Sequence, residues 1–315
     1  MKIKFWGVRG SLPSSMSPFD WSQHFENLMI DFFRCGFSKA SDVSQFIQQQ
    51  KIPQIGGFGE ATTCVQIIDE KQSLIIDGGS GIKKYSDFLI QSRSSQNEFH
   101  ILLSHFHFDH LLGLPFFGPH FQETCVIHFY AVQSEAEACV RRLFERPMFP
   151  VSFDSLNAKI VFHQIQPYEV NLINGFKVQA FQLDHPDQCF GFRVEKNQVA
   201  YAHAIDHESV RINHQQLGKD AGLFKKVKLL YFDAQYEEVD MLQKKGWGHG
   251  TCDRGFEVAH HFGVQQILFA HHDPSVSLQN SRNQKKKAQE LFEKKYINSS
   301  LSWDFAYDGQ EVELF

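Results

Sequence analysis

Among 315 residues there are only six cysteines, and no two of them make a Cys-x-x-Cys pair. At positions 35, 64, 125, 139, 189 and 252 they argue against a zinc ribbon or a disulfide framework and for reduced, mostly buried thiols in a cytoplasmic protein. No apolar run approaches the roughly 20 residues that span a bilayer, so no membrane helix is expected. Met1 to Val8 alternate as a strand would and lack the long apolar core of a signal peptide, so no secretion is implied. Neither sign of charge is in large excess. A formal net charge of −5 offers no broad footprint for nucleic acid. Lys285, Lys286 and Lys287 form the one dense basic spot, and Ala288, Leu291, Phe292 and Tyr296 follow at helical spacing, so the run reads as the solvated start of a late helix. Repeats and low-complexity linkers are missing too, and a single αβ domain over residues 1–315 is predicted.

The chain is rich in histidine, with 17, and in phenylalanine, with 32; the first supplies potential metal ligands and the second implies an aromatic core. Short apolar runs that end at loops predict strands at Ile3 to Gly7, Cys64 to Ile68, Leu74 to Gly79 and Ile101 to Ser104. Others are predicted near Ala158 to Phe162, Phe176 to Leu183, Phe190 to Val194, Val199 to Ala202, Val227 to Phe232 and Gln266 to Ala270. Helices are predicted near Glu135 to Phe144 and Arg254 to Phe262. Residues 16 to 56 read differently. Trp21, Phe25, Leu28, Met29, Phe32 and Phe33 recur at three- and four-residue intervals ahead of Gly36, the pattern of an amphipathic helix, and Val43, Phe46 and Ile47 suggest a shorter one. This helical insertion is expected to pack on the body through its aromatic stripe, with a lid or a homodimer surface as the alternative.

The strongest chemical signal is Ser104-His105-Phe106-His107-Phe108-Asp109-His110, four candidate ligands just after a buried strand. His105 and His107 suit one ion, while Asp109 and His110 reach toward a second, about 3.5 to 4 Å away in the usual two-metal arrangement. Three more candidates each follow an apolar strand: His185 after Leu183, Asp206 after Ala202, and His271 after Ala270. Ligands at strand ends converge when the strands share one edge.

His-x-His-x-Asp-His followed by spaced His, Asp and His resembles the metallo-β-lactamase superfamily. Phe5-Trp6-Gly7-Val8-Arg9-Gly10-Ser11, Leu183-Asp184-His185-Pro186, Tyr231-Phe232-Asp233-Ala234-Gln235-Tyr236, Gly246-Trp247-Gly248-His249 and Leu268-Phe269-Ala270-His271-His272-Asp273-Pro274 extend the likeness toward the ribonuclease Z and cyclic phosphodiesterase branch. The resemblance covers nearly the whole chain outside the insertion. It implies an αββα sandwich with two divalent ions at one edge, zinc first, with manganese or iron(II) as alternatives. By position, His105, His107 and His185 would hold one ion and Asp109, His110 and His271 the other. Asp206 would bridge them, since a carboxylate can offer one oxygen to each cation and offset their repulsion. His271 is preferred to His272 as the first residue after its strand.

The same resemblance implies a chemistry. Two such ions favour a small anionic, phosphate-containing substrate and bring a bridging water toward hydroxide near neutral pH. His249 is similar to the histidine that relatives use to protonate the leaving group, and Asp233 to the acid that orients it. Asp77 looks like a residue that keeps the metal loop in shape. Hydrolysis of a small nucleotide or cyclic phosphate is therefore expected. The alternative is an acyl hydrolase of the lactonase or β-lactamase kind. RNA processing is weakened because no long, basic, flexible arm is evident, and flavodiiron chemistry because no Glu stands near Phe108. One departure is Glu60-Ala61-Thr62, where relatives carry Gly-Asn-Thr, so any contact of that asparagine amide is lost. His128, His163, His203, His207 and His260 receive no role, although His207, next to Asp206, is the one expected to reach the pocket.

Overall fold

In this computed structural model the backbone of residues 1–315 is described, together with every side chain except those of Ile52 and Gln279. Runs of β-branched and aromatic residues form strands β1 Lys2–Gly7, β2 Cys64–Asp69, β3 Gln72–Ile76, β4 Glu98–Leu102, β5 Val126–Ala131, β6 Lys159–Gln164 and β7 Asn171–Ile173. They continue as β8 Phe176–Gln182, β9 Phe190–Lys196, β10 Val199–Ala204, β11 Leu229–Asp233, β12 Gln266–Ala270, β13 Ser302–Phe305 and β14 Glu311–Glu313. They make two seven-stranded sheets, ordered β14-β1-β2-β3-β4-β5-β6 and β13-β12-β11-β10-β9-β8-β7. In the first sheet β3 to β6 are parallel, and two antiparallel steps through β2 turn β1 the same way. In the second, β10 to β13 are parallel, and two antiparallel steps through β9 align β8 with them. The loops that leave β1, β3 and β4 therefore emerge from one end of the first sheet, and those that leave β8, β10, β11 and β12 from one end of the second.

Three apolar layers hold the sheets in place. Between them, Ile3, Phe5, Val65, Ile76 and Leu102 meet Phe192, Tyr201, Tyr231 and Leu268. The rings of Phe5 and Tyr231 meet 4.7 Å apart across this seam, tilted by 35°, a contact worth about 0.5–1.5 kcal/mol beyond its buried area. Outside the first sheet, Tyr85 of the helix Gly81–Gln91 covers Phe99, Phe117 and Phe129. Outside the second, Phe256 and Phe292 of the helices Cys252–Phe262 and Leu278–Lys295 cover Phe232 and Phe269. This is an αββα sandwich. Among the described residues no helix is long and apolar enough to cross a membrane, and the six cysteines are free, four of them buried.

β5 is not among the strands expected above, although Val126-Ile127-His128-Phe129-Tyr130-Ala131 alternates in burial as a half-buried strand should. The lysine run also differs from its expected place at a helix start. Ser277 caps the last helix by accepting from Asn280 N, so Lys285 to Lys287 lie at its middle rather than its start. The polar first turns carry no apolar period that would reveal them.

The insertion is helical as expected, with helices Pro18–Arg34, Val43–Gln49 and Ile52–Gly56 between β1 and β2. The first opens on a Ser17–Asp20 capping box with Pro18 behind it. Its aromatic stripe does not go inward as a whole. Phe32 is buried against Phe37 and Phe46, with ring centres 5.4 Å from each, and buried His24 contacts the Ile55 carbonyl. Met29 and Phe33 are turned away from Phe32 and exposed, and Phe25, on the same line as Phe32 but two turns earlier, is exposed as well. A helix turns 100° per residue, so Phe32 and Phe33 cannot share one partner.

Candidate metal centre

The loop after β4 is shaped by Asp77, the first residue beyond β3. Its carboxylate accepts from Ser104 N and Ser104 Oγ, both at 2.9 Å, and from His110 Nδ1 at 2.8 Å. With Nδ1 as donor, His110 turns Nε2 inward, 2.7 Å from Asp206 Oδ2. Ser104 Oγ also lies 3.1 Å from His105 Nδ1, which leaves His105 Nε2 facing the cleft. His107 is more exposed, and its Nε2 lies 2.9 Å from Asp187 Oδ2.

The second sheet supplies the opposite wall. His271 Nε2 stands 3.2 Å from Asp109 Oδ2 and 3.4 Å from Asp206 Oδ2, while its Nδ1 stands 3.1 Å from Asp233 Oδ2. His185 packs its ring 4.9 Å from that of His105 and 4.8 Å from that of His107. One ligand-type atom each from His105, His107, His185 and Asp206 falls within a 4.8 Å span, and so does one each from Asp109, His110 and His271. Asp77, Asp206 and His271 share a backbone feature, with φ of 62°, 60° and 62°. Non-glycine residues in the left-handed region cost about 1–3 kcal/mol each and collect at functional sites. Here each sits just past a strand end, where the chain turns its side chain into the cleft.

Two glycines of the quoted motifs make room for these rings. A Cβ on Gly10 would stand 2.6 Å from His271 Nδ1, and one on Gly248, itself at φ +92°, would stand 2.2 Å from His185 Cδ2. Ser11 follows Gly10 and donates its N–H to Asp109 Oδ2 at 2.8 Å.

The electrostatics of this cleft are those of a place for cations. Four carboxylates, Asp77, Asp109, Asp206 and Asp233, are buried together. Burial opposes charge on His271, but Asp206, Asp233 and Asp109 outweigh it and push its pKa up to about 10. Burial likewise opposes the ionisation of Asp109 and Asp206, yet His110 and His271 hold both carboxyls below the usual range. His105 and His185 move the other way, pushed down chiefly by burial. His105 Nε2 and His185 Nε2 are buried without a hydrogen bond. Lone pairs with no donor beside an excess of carboxylate fit divalent ions.

His249 and Asp233 stand at the rim of this group. His249 Nδ1 is 3.1 Å from Asp233 Oδ2 and 3.4 Å from Asp206 Oδ1. Asp233 Oδ1 accepts from Gln235 N and Gly250 N, both at 3.0 Å, and Oδ2 from Asp206 N at 3.1 Å. All seven predicted ligand positions and this pair therefore meet in one place.

His207 does not join them. It is buried with its ring between Phe224 and Phe232, and its Nδ1 accepts from Asp184 N at 3.0 Å; the residue after Asp206 turns into the core. At the Glu60-Ala61 departure, both N–H groups donate to Asp308 Oδ2, at 2.9 and 3.1 Å, and the turn is held from the far end of the chain. Asp187 and Glu208 join the site without having been expected there. Glu208 is buried and accepts from Gly246 N and Gly248 N at 2.7 and 3.3 Å, fixing the loop before His249. Its buried carboxylate beside a Gly-Trp-Gly stretch has no sequence signature.

Two stacked mixed sheets with a histidine and aspartate cluster where their loops meet define the metallo-β-lactamase fold. The chain belongs to the β-lactamase superfamily, whose family model, described as "Beta-lactamase superfamily domain", matches residues 85–272. It is similar to ribonuclease Z of Staphylococcus epidermidis (strain ATCC 35984), 28% identical over 103 residues that cover 30% of this chain and 31% of that protein. The match thus spans about a third of that relative. Among solved structures, the metallo-β-lactamase fold protein YhfI from Bacillus subtilis superposes with a TM-score of 0.62 at 15% identity, covering 99% of this chain and 98% of that one. A diphosphatase from the PhnP family superposes with a TM-score of 0.63 at 13% identity, covering 100% and 98%.

Proposed function

We propose that this chain is a dinuclear phosphodiesterase that hydrolyses a small nucleotide or cyclic phosphate. His105, His107 and His185 would hold one divalent ion and Asp109, His110 and His271 the other, with Asp206 between them; zinc is the first choice for this nitrogen-rich set, ahead of manganese or iron(II). When bound, the ions supply positive charge that polarises a phosphoryl oxygen and makes water a better nucleophile near neutral pH.

The chain's own groups do the rest. Asp77 fixes the tautomer of His110, so that Nε2 and not Nδ1 faces the cleft. Asp233, its oxygens occupied by three backbone N–H groups, is a rigid acceptor and holds the Nδ1 side of His249. His249 is then oriented to give a proton from Nε2 to the departing oxygen, with Asp233 as its positioning residue. This pair, His249 Nδ1 and Asp233 Oδ2 at 3.1 Å beside the ligand cluster, is the observation that carries the reading. An alkoxide leaving group needs such a donor.

The resemblance to ribonuclease Z favours an RNA phosphodiester as the second reading. The dense lysine run argues against it, since Lys285 pairs with Asp304, Lys286 with Glu290 and Lys287 with Glu237. A basic surface already neutralised by acids attracts a phosphate backbone weakly. An acyl hydrolase of the lactonase kind could use the same cluster, and a substrate screen separates it.

Zinc- or manganese-loaded protein is assayed on bis(p-nitrophenyl) phosphate, cyclic nucleotides, a lactone, a cephalosporin and a precursor transfer RNA. His249→Ala should keep the metals and lower kcat on poor leaving groups by roughly 10²–10⁴, with a smaller loss for p-nitrophenolate, which needs little protonation. Asp233→Asn should show a weaker defect of the same kind. Equal losses on good and poor leaving groups would remove the proton-donor role, and turnover of the lactone alone would replace the phosphodiesterase reading.

A further inference from the structure

His128 and His163, which the sequence left without a role, belong to a second cluster on the first sheet. His100 lies on β4, His128 opposite it on β5, and His163 on β6, in adjacent strands. Glu98, at the start of β4, reaches over them. Its Oε1 stands 3.2 Å from His128 Nε2 and 3.5 Å from His100 Nε2. Behind the rings, His100 Nδ1 lies 3.0 Å from Tyr130 Oη, and His128 Nδ1 lies 2.9 Å from His163 Nε2. The His100 and His128 rings are parallel within 7°, with centres 4.9 Å apart. His100 stands at the middle of β4, and His105 lies in the loop beyond the end of that strand.

We propose that Glu98, His100 and His128 form a separate site for a divalent first-row transition ion such as Zn²⁺ or Ni²⁺. Bonds of about 2.0–2.2 Å to nitrogen and oxygen, at tetrahedral angles, put neighbouring ligand atoms roughly 3.3–3.5 Å apart. The two carboxylate–imidazole separations, 3.2 and 3.5 Å, match this span, and all three ligand atoms fall within 4.8 Å of one another.

The partners behind the rings complete the case. A ligating histidine ordinarily donates its second ring N–H to a neighbour. Tyr130 Oη can accept from His100 Nδ1, and His163 Nε2 can accept from His128 Nδ1. In that tautomer both Nε2 lone pairs point at a carboxylate, an arrangement of three acceptors that a cation between them stabilises. No proton need be lost, because each neutral ring only moves its proton from Nε2 to Nδ1. Two imidazoles and one carboxylate suit zinc, nickel or copper rather than magnesium or calcium. Glu98 is exposed, which leaves the ion a path in and a water a place to complete the coordination.

The test is a titration of the chelator-stripped full chain with Zn²⁺, and separately with Ni²⁺, followed by calorimetry and metal analysis. The unsubstituted chain should bind one equivalent more than His128→Gln. Glu98→Gln, a change at an exposed side chain that leaves the fold intact, should weaken that equivalent at least tenfold and leave the others unchanged. Should His128→Gln unfold, Glu98→Gln decides alone. Identical stoichiometry and affinity in the unsubstituted chain and Glu98→Gln would overturn the site.

Discussion

Beneath the helix Gly81–Gln91, Tyr85, Phe99, Phe117, Phe129 and Phe144 are all buried, whereas in the insertion Phe25, Met29 and Phe33 are 57%, 54% and 59% exposed. Both regions are aromatic and both carry helical periodicity. The difference lies in what arrives to cover them. Phe99 and Phe129 stand on neighbouring strands whose partners are fixed by the sheet register, with Tyr85 and Phe117 closing over them. In the insertion the rings of Phe33, Phe37 and Phe46 reach Phe32, and among the described residues no sheet stands beneath them. Periodicity reports one element, and burial needs two.

The metal loop should respond most to substitution. Asp77→Ala removes the acceptor of the Ser104 N–H, the Ser104 hydroxyl and the His110 ring at once. Leaving a buried ion partner uncompensated costs about 3–5 kcal/mol. Urea unfolding of chelator-stripped protein should show that loss; a change under 1 kcal/mol would mean that the loop holds its shape without Asp77. In the insertion, Phe32→Ala should cost about 3 kcal/mol of local stability, read as faster hydrogen exchange confined to residues 18–56. Unchanged exchange would place Phe32 outside any core.

An acid-sensitive step is expected in the well-packed layer. His120 is buried among Phe117, Phe129 and Phe144, and burial pushes its pKa down to about 4 from 6.5. Between those values the unfolded chain binds the proton and the folded chain does not. The neutral ring therefore contributes its full stability above pH 6.5, and up to about 3 kcal/mol is lost as pH falls toward 4. His120→Gln should flatten the stability–pH slope over that window, and an unaltered slope would assign the acid sensitivity elsewhere. The smallest effect belongs to the exposed stripe. Phe25→Ser should change the melting free energy by no more than about 0.5 kcal/mol. A loss as large as that of Phe32→Ala would show that a partner covers this face in solution.

The site was more legible than the stripe. His105, His107, Asp109 and His110 crowd one loop, and His185, Asp206 and His271 each follow an apolar run, so ligand chemistry and strand ends coincide in the sequence. The structure does bring these side chains together. Less was legible where the partner is remote along the chain. Gly10 is glycine because His271 lies against it, and Gly248 because His185 does; neither contact leaves a local signature. His207 went astray for the opposite reason, since adjacency to Asp206 says nothing about which way a side chain turns after a left-handed residue. β5 was missed despite its alternation, and the lysine run was put at a helix start because the cap at Ser277 precedes it by two polar turns.

The central claim, two ions between the sheets with Asp206 joining them, is tested most directly by anomalous scattering at the zinc edge from crystals of zinc-loaded Glu98→Gln protein. Two peaks about 3.5–4 Å apart are expected, one among His105, His107 and His185 and the other among Asp109, His110 and His271, with Asp206 within reach of both. A single peak, or an ion held by Asp233 and His249 in place of one of these groups, would contradict the account.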